Sequence, residues 1–370
     1  MTEATAGPAG ADLRSVRDYR ERARELLAGH LFDNMFGTGA DAIGLTNASN
    51  RSALESIGFR PRVLVDVSRR NLATTVLGQP VSMPIMLAPI GDARRVHPDG
   101  ELATVRAANA AGVTMILSMV SSVSASEIVA EAAGPVWAQF YVLRDRDATR
   151  RLVEHLTEVG ARALVVTIDN PGIISKDVNV GRPAQSWGTL TQLGITETLA
   201  VRRSMLENID PAVTWADIDW LRSLTALPIV LKGVRTPEDA ALAREHGAAG
   251  IVVSNHGGHA LPDRTGTVVR LPEMVDAAGE MEVYLDGGIR EGADVLKALA
   301  LGARAVLVGR AQYWGLTVAG EAGLTDVLGI LRRELDATMM FCGAVDVERV
   351  DRRLVTLAVA DRRADGGARA

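Results

Sequence analysis

One cysteine, Cys342, is all the chain has, which excludes an intramolecular disulfide and any zinc or iron–sulfur site built on cysteines. No apolar run approaches the ~20 residues needed to span a bilayer. There is no basic excess either: 40 Lys+Arg, dispersed along the chain, face 45 Asp+Glu for a net charge of −5. A nucleic-acid binder would carry a basic stripe. The opening MTEATAGPAGADLRS lacks the basic-then-apolar order of a secretory signal. These absences predict a cytoplasmic protein that acts on a small molecule, with no nucleic-acid or membrane partner. What is present is core-forming material: 47% of the 370 residues are hydrophobic and 23% charged, the balance of a soluble globular chain. That length suits two or three ordinary domains of ~150 residues, or one α/β barrel with additions.

Ala/Gly/Pro-rich or polar stretches at 1–15 and 361–370 are expected to be disordered. Between them, short apolar runs alternate with helical segments. The runs are MPIMLAPI (83–90), VTMILSMV (113–120), PVWAQFYV (135–142), ALVVTID (163–169), PIVLKGV (228–234), GIVVSN (250–255), EVYLDGG (282–288) and AVLVGR (305–310). Being apolar on both faces, they read as strands of a buried parallel sheet. Amphipathic stretches such as GELATVRAANAAG, DATRRLVEHLTEVG and TPEDAALAREHG separate them, the last with Thr236 as N-cap, Pro237 at the first helical position and Gly247 closing the helix. Eight strands in strict alternation with helices predict an α/β fold, a (β/α)8 TIM barrel. A doubly wound sheet is the competitor. Residues 16–360 then form a single domain. Within it, 16–80 are an N-terminal extension with one helix (VRDYRERARELLAGHLFDNM) and a hairpin-like stretch near FRPRVLVDV. Residues 170–214, partly helical in TETLAVRRSMLEN, are a long loop after strand four and a candidate lid. The competing reading is a surface excursion with no role.

Barrel enzymes keep their reactive residues at the C-terminal ends of strands. Those ends carry Ala88-Pro89-Ile90-Gly91, Ser118, Gln139 and Tyr141, Thr167 and Asp169, Lys232, Ser254-Asn255-His256, Asp286-Gly287-Gly288 with Arg290, and Gly309-Arg310. Polar groups at nearly every mouth position are hard to explain as packing. DGGIR and VGR put glycine N–H groups and two arginines at strands seven and eight, where barrels bind phosphate. In SNHGGH (254–259), His256 follows a buried strand and precedes two glycines, the place for a general base that Asp169 orients. Lys232 ends an apolar strand and so awaits a negative group; Schiff-base formation, phosphate binding or stabilisation of an anionic ring all remain open. A metal site on His256, His259 and Asp263 lacks a recognised ligand spacing, and no metal is expected.

FRPRVLVDV, MPIMLAP followed by HPDGE, QFYV, TIDNP, LKGV, SNHGG, LDGGIR and GARAVLVGR occur in this order over residues 16–345. Together they resemble the FMN-dependent 2-hydroxy-acid oxidase/dehydrogenase family of glycolate oxidase, lactate oxidase and mandelate dehydrogenase. The resemblance implies an FMN cofactor and, in many members, a tetramer. It assigns Asp286, Gly288, Arg290, Gly309 and Arg310 to the FMN phosphate, and Ser118, Gln139 and Thr167 to the flavin ring. Lys232 falls beside N1 and the C2 carbonyl, the Ala88, Pro89 and Gly91 segment near N5, and Ser254 among the cofactor contacts. His256 matches the base, Asp169 its partner, and Tyr141 the tyrosine on the reacting oxygen.

The departures all concern the substrate. The family's arginine after SNHGG is His259 here, its second arginine is Lys176, its carboxylate-binding tyrosine aligns with Met35 or Phe36, and its next aspartate is Pro262, with Asp263 one step on. A guanidinium–carboxylate fork has directional donors that imidazole and ammonium lack, and its loss removes about one to two decades of binding. Lys176 or a protonated His259 is left to hold a carboxylate, or the pocket serves another group. A related subgroup, the mycofactocin-maturing flavoenzymes, oxidises a peptide-derived amine and also lacks that arginine; the run YWGLTVAGEAGLTDVLGILRRELDATM is similar to theirs. The expectation is therefore an FMN-dependent oxidoreductase acting on a CH–OH or CH–NH2 carbon, with a biosynthetic substrate favoured. The alternatives are a flavin-free isomerase or aldolase using Lys232, and a non-catalytic flavin-binding protein. The electron acceptor, oxygen or another, is not readable from the residues.

Overall fold

The computed structural model of the protein describes residues 13–36, 42–171, 188–195, 208–261 and 263–357. The eight apolar runs form β1 (Ile85–Leu87), β2 (Thr114–Ser118), β3 (Val136–Phe140), β4 (Ala163–Thr167), β5 (Ile229–Val234), β6 (Gly250–Val253), β7 (Glu282–Leu285) and β8 (Ala305–Val308). All neighbours pair in parallel, and β8 pairs back onto β1, so the sheet is a closed barrel. Closure rules out the doubly wound sheet, whose edges stay open. Every residue of β1 to β4 is buried, as apolarity on both faces demands. Trp137 and Tyr284 meet edge to face inside the barrel, ring centroids 5.6 Å apart.

Helices follow the strands: α4 (Glu101–Ala111), α5 (Ala125–Glu131), α6 (Arg146–Glu158), a short α7 (Gly188–Gln192), α8 (Trp215–Leu224), α9 (Pro237–Glu245), α10 (Thr267–Ala278), α11 (Gly292–Ala300) and a long, kinked α12 (Arg310–Cys342). α9 starts and stops on the residues expected: the Thr236 side chain accepts the Asp239 N–H, Pro237 stands in the first turn, and Gly247 takes φ +69°. Ahead of the barrel lie α1 (Val16–Leu26), α2 (Gly29–Phe36) and α3 (Ala42–Glu55). Ser15 caps α1 through a reciprocal exchange with Asp18, so the described chain begins inside the stretch expected to be disordered. Buried Val16, Tyr19 and Ala23 form the inner face of α1, and the Tyr19 hydroxyl donates to Asp326 of α12 at 2.9 Å.

Two expectations about this extension need correction. The single helix over VRDYRERARELLAGHLFDNM is two helices, because Leu27 turns extended (φ −85°, ψ 142°). The hairpin lies at Thr74–Val76 and Gln79–Val81, not at FRPRVLVDV. Its turn needs positive φ at Leu77 and Gly78, and its apolar face joins the barrel interior, with the Trp137 indole donating to Gln79 at 3.1 Å. Gly58–Phe59 instead pairs with Val355–Thr356 near the other end of the chain.

Much of the insert after β4, residues 172–187 and 196–207, lies outside the described residues, as does most of TETLAVRRSMLEN. Its described parts are fastened at the mouth. The Gly188 N–H donates to Ser121, Thr189 accepts the Ala125 N–H, and Ile209 bridges to Leu143 after β3. Among the described residues no helix is long and apolar enough to cross a membrane.

Candidate active site

The C-terminal ends of β4, β5 and β6 bring three ionisable side chains together. Asp169 lies two residues past β4, Lys232 is within β5, and His256 stands three residues past β6. The β5–β6 register shifts between Lys232 and Val234. Gly233, at φ +111°, sits at that irregularity, and a Cβ there would fall 2.5 Å from the Asp169 Cβ, so only glycine lets the two segments meet. His256 itself has φ +55°, left-handed backbone that costs a non-glycine residue of order 1–3 kcal/mol and is characteristic of working sites. It is held there by its own N–H donating to Ser254 Oγ (3.1 Å) and by the Gly257 N–H donating to Asn255 Oδ1 (3.2 Å). α3 backs this loop: Asn50 and Asn255 exchange side-chain hydrogen bonds at 2.9 and 3.1 Å.

His256 Nδ1 lies 2.9 Å from Asp169 Oδ1, and the carboxylate is almost fully buried (1% exposed). Burial alone would raise the Asp169 pKa, but His256, Lys232 and Arg235 outweigh it and hold the carboxyl below its usual range. A buried carboxylate on Nδ1 leaves Nε2 as the basic atom. Beside this pair, Lys232 Nζ donates to Ser254 Oγ at 3.1 Å and stands 3.3 Å from Asp286 Oδ2, while Ser254 donates to Asp286 at 2.8 Å. Burial opposes the Lys232 charge, yet Asp286 and Asp169 raise its pKa above the ordinary value. Lys232 is thus a fixed ammonium and not the neutral amine a Schiff base requires.

Polar side chains at the ends of β2 to β4 form a chain. Ser118 Oγ donates to Gln139 Oε1 (3.2 Å) and Gln139 Nε2 donates to Thr167 Oγ1 (3.0 Å). Ala88, Pro89 and Gly91 form the segment after β1. It is pinned from the start of α12: Gln312 donates to the Ala88 carbonyl at 2.8 Å, and the Tyr313 hydroxyl to the Gly91 carbonyl at 2.9 Å. Tyr141 is buried; burial first, then Asp169, push its pKa up, so it remains a neutral hydroxyl.

The anion end lies at β7 and β8. Gly288 takes φ +88° with the Asn50 backbone close by. A Cβ on Gly309 would meet nothing nearer than Ile90 and Ala88 at 3.8 and 3.9 Å, so packing does not require glycine there. The bare backbone suits close approach of a ligand. Arg310 donates to the Phe36 carbonyl at 3.1 Å and lies against Gly257; Arg290 donates to the Ile289 carbonyl at 2.6 Å and stacks over Trp314 at 4.6 Å. Burial and neighbouring arginines press both pKa values down, Arg310 to about 10 and Arg290 well below its usual value. Two half-buried guanidiniums lowered in this way suit a neighbouring anion.

His259 follows the base loop, its N–H donating to the His256 carbonyl at 3.1 Å. Its side chain is exposed at the mouth. Desolvation first, then the neighbouring His256, Arg310 and Lys232, shift its pKa down, against a hydrogen bond to the Met35 carbonyl. Met35 is half-buried and Phe36 buried, the latter edge to face with Phe32 at 4.9 Å and with Trp314 at 6.0 Å. Lys176 and Pro262 lie outside the described residues. Asp263 is 3.5 Å from Arg235 and 3.3 Å from Arg270, and among the described residues no group of three or more His, Cys, Asp or Glu is arranged for a metal.

Four contributors escape a reading of strand ends. Asn50 comes from α3 and Gln312 from α12. Arg235 lies just past β5, where only its charge after an apolar strand marks it. Buried Glu101 accepts the Ala93 and Ser122 N–H groups at 2.9 and 3.0 Å and so ties the loop after β1 to the loop after β2.

Comparison with known proteins returns one family description. The model of the FMN-dependent dehydrogenase family matches residues 23–357. An L-lactate oxidase of Nostoc sp. is 41% identical over 350 residues, covering 90% of this chain and 95% of that protein. Among solved structures, a mandelate oxidase superposes with a TM-score of 0.84 at 37% identity, covering 94% of this chain and all of that one. A soluble mutant of the membrane-associated (S)-mandelate dehydrogenase of Pseudomonas putida does so at 0.85 and 33%, with the same coverage.

Proposed function

Because the chain belongs to the FMN-dependent dehydrogenase family and is an FMN-dependent oxidoreductase, we propose that it oxidises a hydroxyl-bearing carbon of a small molecule with His256 as the base. The observation that carries this is the 2.9 Å Asp169–His256 pair at the barrel mouth, beside the fixed ammonium of Lys232.

The residues fit the cofactor. Half-buried Arg290 and Arg310 with lowered pKa values, the bare backbone of Gly288 and Gly309, and an Asp286 Oδ1 without a partner among the described residues suit a phosphorylated flavin with donors along its chain. In this reading Arg290, Arg310, Gly288 and Gly309 hold the phosphate, and Asp286 sits beside them. Ser118, Gln139 and Thr167 take the ring's polar edge, and Ala88, Pro89 and Gly91 lie along it. Ser254 and Lys232 complete the contacts, the ammonium countering negative charge on the ring. FMN, when bound, supplies the two-electron acceptor.

The protein supplies the rest. Asp169 keeps the proton on Nδ1, so His256 Nε2 takes the substrate hydroxyl proton as the carbonyl forms. Tyr141, a neutral buried hydroxyl, donates to the reacting oxygen. An amine on the same carbon meets the same base. The relatives are named for lactate and mandelate and include an oxidase and a dehydrogenase, which supports a substrate of hydroxy-acid size and leaves the acceptor open. The reading further takes the protein as cytoplasmic and homo-oligomeric, tetrameric as many family members are.

An anaerobic panel of small and aromatic 2-hydroxy acids, their amides and the matching amines tests this by loss of flavin absorbance. At least one class is expected to bleach the flavin. His256→Asn is expected to slow bleaching by about 10²–10⁴-fold, the usual contribution of a positioned base, with FMN content unchanged. Equal rates in the variant would remove His256 from the role.

A further inference from the structure

After Gly58–Phe59 pairs with Val355–Thr356, the chain runs over the surface from Arg60 to Asp66 with every residue exposed. Three of these residues, Val63, Leu64 and Val65, are apolar, and Leu64 keeps its whole side chain in solvent (103% exposed). Leu64 also takes φ +59°, left-handed backbone that glycine or asparagine adopts more readily. Among the described residues nothing offsets either feature: the backbone is strained, and no apolar contact compensates it. The loop is nevertheless fastened to the body. The Arg60 N–H donates to the Leu354 carbonyl at 2.8 Å, the Arg62 N–H to the Cys342 carbonyl at 3.1 Å, and the Asn71 N–H to the Val345 carbonyl at 2.8 Å. Two more exposed apolar side chains, Met340 and Phe341, stand at the end of α12 within two residues of the Cys342 anchor. A fixed, projecting apolar surface of this kind marks an interaction site.

The charges around Leu64 identify the occupant. In Arg62-Val63-Leu64-Val65-Asp66, opposite charges flank the apolar centre at equal distances along the chain. Asp66 accepts the Ser68 N–H at 2.9 Å, which steadies its carboxylate. A two-fold axis at Leu64 would set the two leucines against each other, each Arg62 opposite the partner's Asp66, and each Arg60 opposite the partner's Ser68. No like charges meet. An isologous contact requires self-complementarity of this kind, whereas an unrelated protein would not require symmetric charges.

Deepening the reading of the protein as a homo-oligomer, we infer that residues 60–66 form a two-fold contact between two copies of this chain. Val63, Leu64 and Val65 are its apolar centre, and reciprocal Arg62–Asp66 ion pairs close its rim.

The test measures the mass of the FMN-loaded full-length protein in solution by sedimentation equilibrium, with bound flavin reporting that each variant is folded. Leu64→Asp is expected to weaken self-association by at least about tenfold. Each charge reversal alone, Arg62→Asp or Asp66→Arg, is expected to do the same, because like charges then face each other on both sides of the axis. The double variant R62D/D66R is expected to recover the wild-type mass. Mixing the two single-reversal proteins is expected to give mixed assemblies, each copy supplying the charge the other lacks. These charge variants decide even if Leu64→Asp loses its flavin. Dissociation with no recovery in the double variant or the mixture overturns the two-fold pairing. Equal masses for the wild type and every variant overturn this contact and leave the homo-oligomer standing, and a monomeric wild type overturns both.

Discussion

Asp169 is the residue on which the site's electrostatics turn. Its carboxyl is buried, its pKa is lowered, and its second oxygen has no partner. A carboxyl lowered on folding stabilises the native state above its unfolded pKa of about 3.9, and that stabilisation disappears as pH falls through the lower folded value. Asp169→Asn is therefore expected to reduce stability at pH 7, by an amount that shrinks as the pH is lowered below the ordinary carboxylate range, as paired denaturant titrations would show. The same change removes the charge that orients the base, and anaerobic flavin reduction should slow by about 10²–10⁴-fold, as when the carboxylate of a catalytic triad is neutralised. A variant that reduces its flavin at the wild-type rate would show that His256 needs no partner. At this scale the polar strand endings were legible. Lys232 and Thr167 interrupt apolar runs, and His256 follows one, which packing does not explain. The surroundings of His259 were not legible, because Met35, Arg310 and Lys232 are brought to it by three separate elements.

Among elements, the barrel helices announced themselves through caps and periodicity, and α9 begins and ends on the residues that signal it. α3 did not, because AIGLTNASNRSALE has no clear apolar stripe. Its Thr46, Asn50 and Arg51 serve loops instead: Asn50 engages Asn255 and Thr267, and Arg51 engages the Gly288 carbonyl and Asp294. α12 shows the opposite case, a strongly apolar segment that nevertheless kinks. Ala319 and Gly320 leave helical geometry, which brings the backbones of Gly315 and Gly323 into contact. A Cβ on Gly323 would overlap the Gly315 carbonyl, and backbone cannot yield as a side chain can. Gly323→Ala is expected to destabilise the fold by about 1–3 kcal/mol, the usual cost of overpacking, read as a lower denaturant midpoint at unchanged slope. An unaltered midpoint would mean that the two segments part readily.

For the whole molecule, the cofactor belongs to the stability of the fold as much as to its chemistry. Arg290 and Arg310 are half-buried cations whose pKa values are pressed down by desolvation and by other arginines. Removing FMN by dialysis at high salt should lower the melting temperature. Returning it at about a hundred times its Kd should restore about 2.7 kcal/mol, and inorganic phosphate should recover part of that. A deflavinated protein that melts like the holoprotein would show that the guanidiniums do not depend on an anion. At this scale the sequence by itself determined the barrel: eight runs apolar on both faces, alternating with amphipathic segments, can be buried together only in a parallel sheet covered by helices. It also determined which side chains reach the mouth, since a polar residue at the end of a buried strand has nowhere else to go. Only the tertiary structure decided which of them carry charge. A side chain's charge depends on the burial and fields contributed by distant parts of the chain, and these leave Lys232 an ammonium beside Asp286 and Asp169. Where the hairpin would form was likewise a tertiary matter, settled by which turn could offer an apolar face to the barrel interior.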